Sequence, residues 1–394
     1  MPRPRLAALA VLLTFVPALH AANHRVLAYY YYGDKSNSIP YNASTIPYHQ
    51  LTHIVHANIS PAPQADGTLG VPTTFLEPAL ITRAHKAGVK VLVSVAGPPY
   101  LFATINASAT FRATFAQNLA NFARSNGYDG IDFDYEVPYD QTEATNFTLM
   151  VQSLRSNLPA GQFLISAAVT SNPGSWGVFD FPGLIPLLDF FNVMTYDFHG
   201  PWTNHSGHNS PLYLSPLDPG QEGSLKATTD LYLFQFGVPA AQINLGTAFY
   251  GYGFQVNGLW YSCGCEQTES FTYAQIQQLF AAGGWTQSVD PLASAPYATN
   301  SNTAHIGFLT YDTPTSTSAK VNYALKTRGL GGVFMWELSQ DYDGKTQPLM
   351  TAMYDASTKA EATRTGSNSI RPWLMEDIDW LITDEERLQF VESK

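Results

Sequence analysis

The sequence predicts an α/β fold, a (β/α)8 TIM barrel with a small insertion between its seventh and eighth strands. Three observations predict it. Eight short apolar runs, rich in aromatic and β-branched residues, recur along the chain. Segments with helical spacing separate several of them, the alternation that builds a parallel barrel with helices outside. The 394 residues are a length that one barrel-type domain can largely absorb. A doubly wound open sheet is the competing arrangement. No G-x-G-x-x-G follows the first strand, which removes the commonest cofactor signature of that fold. No cofactor is expected.

The chain opens MPRPRLAALAVLLTFVPALHAAN. Arg3 and Arg5 precede an apolar run over 6–19, and small residues follow at Ala21 and Ala22. This predicts a secretory signal over 1–21 and an extracellular protein; the run is too short and too interrupted by proline to span a membrane. The barrel is assigned to 22–354. Its strands are read at RVLAYYYY (25–32), LTHIVHANI (51–59), KVLVSVA (90–96), GIDFDYE (130–136), FLISAAVT (163–170), FFNVMTYDF (190–198), INLGTAFYGY (243–252) and GVFMWEL (332–338). Among the helical stretches, 75–88 and 111–127 are the clearest. The second aligns Phe111, Phe115, Leu119 and Phe122 on one face and ends at Gly127, a suitable C-cap.

About fifty residues (254–305) separate strands seven and eight, long for a plain connection. They hold another helical piece, YAQIQQLFAAGG, and predict a small inserted subdomain on the loop face. The segment 355–394 begins as a Ser/Thr/Ala/Gly linker and ends as an acidic tail, to which no function is assigned.

Hydrophobic residues make up 45% of the chain and charged residues only 13%, so a large core is available. The formal net charge of -11 argues against nucleic acid, whose backbone demands Lys/Arg clusters. A neutral substrate or a mildly cationic one fits, with no membrane partner and a monomeric chain. Five N-x-S/T sequons, at Asn42, Asn58, Asn106, Asn146 and Asn204, suit a secreted glycoprotein, although Asn58 falls within a strand. Cys263 and Cys265 are the only cysteines, separated by Gly264, and are read equally as a bridge or as two loop thiols. His199, His205 and His208 cluster in a Gly/Pro/Asn-rich stretch without cysteine support; they are read as loop residues, and no metal site is assigned.

The stretch DGIDFDYE (129–136) carries the chemistry. On a strand, Asp132, Asp134 and Glu136 share one face, spaced about 6.7 Å apart. Reactions in such barrels occur at the C-terminal strand ends, which puts Glu136 at the mouth and the two aspartates successively deeper. Two like charges 4–5 Å apart repel by roughly 3–4 kcal/mol at an effective dielectric of about 20. One pKa unit is about 1.36 kcal/mol, so the stack must retain protons near neutrality. Its outermost acid can then donate one to a glycosidic bond. A divalent-cation site and a purely structural pairing are the alternatives, but 129–138 contains no Lys, Arg or His. Ordinary glycosidases also place a second carboxylate across the scissile bond, and none is obvious here.

DGIDFDYE resembles the D-x-x-D-x-D-x-E signature of glycoside hydrolase family 18, the chitinases and their relatives. SVAG (94–97), MTYD (194–197), LGTAFYGYGF (245–254) and GLGGVFMWEL (329–338) are similar to further family motifs, in the family's order across roughly 25–350. In that family the 2-acetamido oxygen of the substrate replaces the missing nucleophile, so the resemblance implies a retaining chitinase acting on chitin or chitooligosaccharides. It implies Glu136 as proton donor, Asp134 as the residue orienting the acetamido group, Asp132 sharing a proton with Asp134 from below, and Tyr196 as a contact of the acetamido group. Asp197, Met194, Tyr250 and Ser94 are implied at the substrate, Ser94 also as a candidate partner of Asp132, and Trp336 as the floor beneath the −1 sugar. One of the tyrosines 29–32 is a candidate to reach Asp132, and Asp129 is assigned a structural turn.

Three positions depart from the family pattern. Ala96 replaces a glycine, Asn58 an aromatic residue, and Pro98 stands where many members have tryptophan, leaving Tyr100 or Trp202 as candidates for a +1 platform. The short insertion favours an endo-acting, shallow groove. The competing functions are an endo-β-N-acetylglucosaminidase cutting the chitobiose core of N-glycans, and a chitinase-like lectin that binds without cutting.

Overall fold

The computed structural model describes residues 24–31, 39–172, 177–301 and 305–366. The signal assigned to 1–21, Tyr32, and the tail from 367 onward lie outside the described residues. Eight parallel strands close a barrel: Arg25–Tyr31, His53–Pro61, Lys90–Ala96, Gly130–Asp134, Leu164–Thr170, Phe190–Met194, Ile243–Ala248 and Gly332–Trp336. Each pairs with its sequence neighbour in the barrel, and the eighth returns to the first through Arg25 to Gly332.

Helices cover the outside. The helix Ala109–Asn126 is capped by Ser108, whose hydroxyl accepts the Phe111 N–H, and it ends at Gly127 with φ 75°. That left-handed conformation is one glycine adopts without steric cost. Phe115 and Leu119 are fully buried on its inner face, with Phe111 and Phe122 packed beside them. Burying a side chain of this size stabilises the fold by about 1.5–3 kcal/mol, so the face, not intrinsic propensity, seats the helix. Among the described residues, the link from strand one to strand two carries only the short turn Tyr48–Gln50.

The structure ends four strands earlier than the sequence reading. Strand four stops at Asp134, strand six at Met194, strand eight at Trp336 and strand seven at Ala248. In the last case Tyr250–Phe254 leaves the barrel and pairs antiparallel with Phe308–Thr310 and Glu269–Thr272 in a separate five-stranded sheet. This sheet, with the helix Tyr273–Ala282 against it, encloses its own core around Ile276, Ala298 and Leu309. It therefore starts inside the segment read as strand seven and ends beyond 305. Period-two alternation continues through the bend, so the sequence pattern does not mark where one sheet ends and the other begins. Residues 355–366, read as linker, instead complete the helix Pro348–Gly366, which buries Met350, Met353, Ala356 and Ala360. Cys263 and Cys265 are joined. Among the described residues no helix is long and apolar enough to cross a membrane. Asn42 and Asn204 are exposed sequons, whereas Asn106 is 1% exposed inside a helix contact, which rules it out as a glycan acceptor in the folded chain.

Candidate active site

A cavity of about 300 Å³ opens at the C-terminal ends of the strands. It is lined by Asp134, Glu136, Met194, Tyr196, Asp197, Tyr250 and Trp336, together with Tyr29, Ala168, Tyr252, Ser270 and Gln340. Strand four delivers the acids. Between them Tyr135 points outward, stacks at 4.8 Å on Phe102 and donates to Glu143 at 2.9 Å. Anchoring Tyr135 in the helix layer keeps the alternation intact past the end of the strand, so Glu136 turns back to the mouth, where it is exposed.

Asp132 lies fully buried beneath the cavity. Its Oδ2 accepts from Tyr29 at 2.9 Å and Ser94 at 3.3 Å, and its Oδ1 from Ser166 at 2.5 Å and Asn192 at 3.1 Å. Ser94 and Ser166 are in register with Asp132 on the flanking strands, which sets all three at one depth. Ser94 thus does not line the cavity as a substrate residue; it holds Asp132. A polar file continues downward, Asn244 donating to Asn192 at 2.8 Å and Arg25 to Asn244 at 2.8 Å. Asp129 faces the opposite end of the strand, where it binds His85, Lys90 and the Val91 N–H.

Burial pushes the Asp132 carboxyl up to about 6, while its hydrogen bonds pull in the other direction. Asp134 is held well above the usual carboxylate range, first by burial, then by the charges of Glu136 and Asp132 and a hydrogen bond with Glu136. At both aspartates desolvation is the leading cause, ahead of the like-charge repulsion that the sequence reading emphasised. One oxygen of Asp134 is buried without a hydrogen-bond partner.

Tyr196 and Asp197 follow strand six. Tyr196 is 6% exposed and meets Tyr250 and Phe334 edge-on, each at 6.1 Å between ring centroids. Burial, then the neighbouring carboxylates, keep its phenol protonated and able to donate. Asp197 adopts φ 61°, a conformation costing a non-glycine residue about 1–3 kcal/mol. Asn209 accepts its N–H at 2.8 Å, and Tyr250 and Tyr252 donate to its Oδ1 at 2.5 and 3.0 Å. These three bonds keep Asp197 pointed into the cavity; burial raises its carboxyl despite the two phenols. Trp336, the last residue of strand eight, lies 5.5 Å from Tyr29 and presents a half-buried indole face.

Trp202 is not in the cavity wall. It is 45% exposed on the rim, edge-on to Tyr252 at 5.8 Å, and Tyr100 is 65% exposed outside the cavity. The sequence reading missed Ser166, Asn192 and Tyr252. The first two were visible as single polar residues in apolar strands; Tyr252 was hidden because its strand belongs to the inserted sheet.

Residues 25–341 match the profile of Glycosyl hydrolases family 18. The chain is similar to Chitinase 1 of Aphanocladium album, 28% identical over 352 residues that cover 79% of this chain and 81% of that one. It is 33% identical to Endochitinase 1 of Metarhizium robertsii over 293 residues, 69% of this chain and 66% of that one. Its fold resembles the crystal structure of an Ostrinia furnacalis Group IV chitinase in complex with allosamidin, with a TM-score of 0.74 at 23% identity, covering 86% of this chain and 99% of that one.

Proposed function

The chain belongs to glycoside hydrolase family 18, and from that premise we propose that it is a secreted, endo-acting chitinase. It hydrolyses β-1,4 bonds between N-acetylglucosamine units with retention, the substrate's 2-acetamido group acting as nucleophile. The observation that carries this reading is the Asp134–Glu136 pair. Asp134, at the end of strand four, and Glu136, just beyond it, are hydrogen-bonded to each other in a cavity that Trp336 also lines.

The −1 sugar rests its C–H face on Trp336, and its acetamido group enters between Asp134, Tyr196 and Asp197. Tyr196 donates to the acetamido oxygen and holds it beneath the anomeric carbon. The acetamido N–H docks on Asp134, whose ionised form pairs with the positive charge that develops as the oxazolinium ring closes. The Asp134 proton passes to Glu136 across their hydrogen bond, and Glu136 delivers it to the leaving glycosidic oxygen. Water then opens the oxazolinium from the vacated side, giving its proton back to Glu136. Two inversions at one carbon leave the configuration retained.

The test is chromatography of chitohexaose digests made with wild type and Glu136→Gln. Short oligomers from wild type alone support the assignment, with turnover by the variant reduced at least a hundred-fold and oligosaccharide binding kept. Equal digestion by both proteins sinks the role of Glu136. An intact hexamer with both favours N-glycan cleavage or sugar binding without hydrolysis.

A further inference from the structure

Behind Asp197, the loop after strand six folds so that four titratable side chains converge outside the cavity. His199, His205 and Asp218 are buried, Glu222 is half-buried, and one ligand atom from each lies within 4.8 Å of every other. His208, the third histidine of the sequence cluster, turns away to Asp290 on the inserted sheet at 3.1 Å.

The two converging rings are oriented by their other nitrogens. His199 Nδ1 faces the His208 carbonyl at 2.9 Å, and His205 Nδ1 faces the Ser206 carbonyl at 3.1 Å. A carbonyl can only accept, so each Nδ1 carries hydrogen, and a neutral ring then aims its Nε2 lone pair at the carboxylates. Lone pairs facing carboxylate oxygens repel unless something positive, a proton on Nε2 or a metal ion, stands between them. Both Nε2 atoms and Glu222 Oε2 are buried without a hydrogen-bond partner.

The separations say what that positive group is. His199 Nε2 lies 3.4 Å from both Asp218 Oδ1 and Glu222 Oε2, while His205 Nε2 lies 3.3 Å from Glu222 Oε1 and 3.8 Å from Asp218 Oδ1. Imidazolium–carboxylate hydrogen bonds close to about 2.7–2.9 Å. A tetrahedral zinc with bonds of about 2.0–2.1 Å sets its ligand atoms about 3.3–3.4 Å apart. With one atom per ligand, both edges from His199 Nε2, to Asp218 Oδ1 and Glu222 Oε2, match that tetrahedral edge, while His205 Nε2 stands 3.8 Å from Asp218 Oδ1 and faces the other oxygen of Glu222. A backbone carbonyl on the far nitrogen of each histidine is also the usual outer support of a metal ligand.

The surroundings are shaped to the cluster. A Cβ on Gly207 would stand 2.1 Å from the buried His199 ring, so only glycine lets the backbone approach there. The Trp260 indole meets both rings edge-on, at 5.5 and 6.2 Å between centroids. We propose that His199, His205, Asp218 and Glu222 form a structural zinc site. Two imidazoles with two carboxylates suit zinc among common divalent ions, and four protein ligands leave no open position for chemistry. The ion clamps the loop that follows Tyr196 and Asp197, at the point where Asn204 and Ser206 bond to 261–263 beside the Cys263–Cys265 bridge.

The experiment is a zinc titration of the full chain after dialysis against a chelator, with metal content, melting temperature and hydrogen exchange as readouts. Wild type is expected to take one zinc per chain, to melt higher when loaded, and to slow exchange over 198–222. Its zinc absorption spectrum should report four N/O ligands and no sulfur. Glu222→Gln, at a half-exposed position that tolerates the isostere, should bind at least ten-fold more weakly, and His205→Ala weaker still. The inference is overturned if dialysed wild type takes up no zinc, or if wild type and Glu222→Gln bind it equally.

Discussion

Replacing Asp132 by asparagine should stabilise the protein at high pH and leave it nearly unchanged at low pH. In the unfolded chain this carboxyl ionises at the ordinary 3.8; in the folded barrel, burial moves it to about 6. Between those values the unfolded state has released a proton that the folded state keeps, so stability falls as pH rises through the window and stays lower above it. At about 1.36 kcal/mol per pH unit, the gap between 3.8 and about 6 amounts to about 3 kcal/mol at pH 8. Asparagine mimics the protonated form and escapes this penalty. It also fits the donors around it. In Asp132→Asn the side-chain oxygen still accepts from Ser166 and Asn192, and the new amide hydrogens face Tyr29 and Ser94, whose hydroxyls can rotate to accept. Thermal melts of both proteins at pH 4 and pH 8 measure the effect, with a Tm advantage of several degrees expected for the variant at pH 8 only. An advantage of equal size at both pH values, or a variant that is less stable at pH 8, would refute the reasoning.

Asp134→Asn should lower kcat on chitohexaose about a hundred- to ten-thousand-fold, since it removes both the proton source of Glu136 and the charge facing the oxazolinium. Oligomers of deacetylated glucosamine should resist cleavage, and their rapid hydrolysis would reveal a protein nucleophile. Away from the site, Lys320→Ala should destabilise the fold by about 3–5 kcal/mol in urea unfolding, because it strands Asp312, which Lys320 now contacts at 2.5 Å with both side chains buried. Replacing Lys320 with Met and Asp312 with Leu together should recover most of that loss; no recovery would argue that the pair does more than satisfy itself.

Much of the fold was legible because it rests on local periodicity. The apolar strand runs, the face of Phe115 and Leu119, and the glycine stop at Gly127 each follow from residues within a few positions of one another. The start of the inserted sheet was not legible, because Tyr250–Phe254 keeps the alternation of a barrel strand while pairing with Phe308–Thr310 instead. The acids of strand four were readable for the reason the helix was, their spacing. Their partners Ser166 and Asn192 come from other strands and are set by register across the barrel.

By itself, then, the sequence determined the barrel, the line of acids on one strand and the direction in which that line points, since all three depend on the pleat of a single segment. Only the tertiary structure decided how deeply each acid is buried. Burial depends on what the other seven strands place around a side chain, and it raises the Asp134 carboxyl well above its ordinary range, with Asp132 clamped by four donors below it. The same reason separates the two histidines from their carboxylates in sequence. His199 and His205 meet Asp218 and Glu222 because a loop closes on itself, and no short-range pattern encodes that closure.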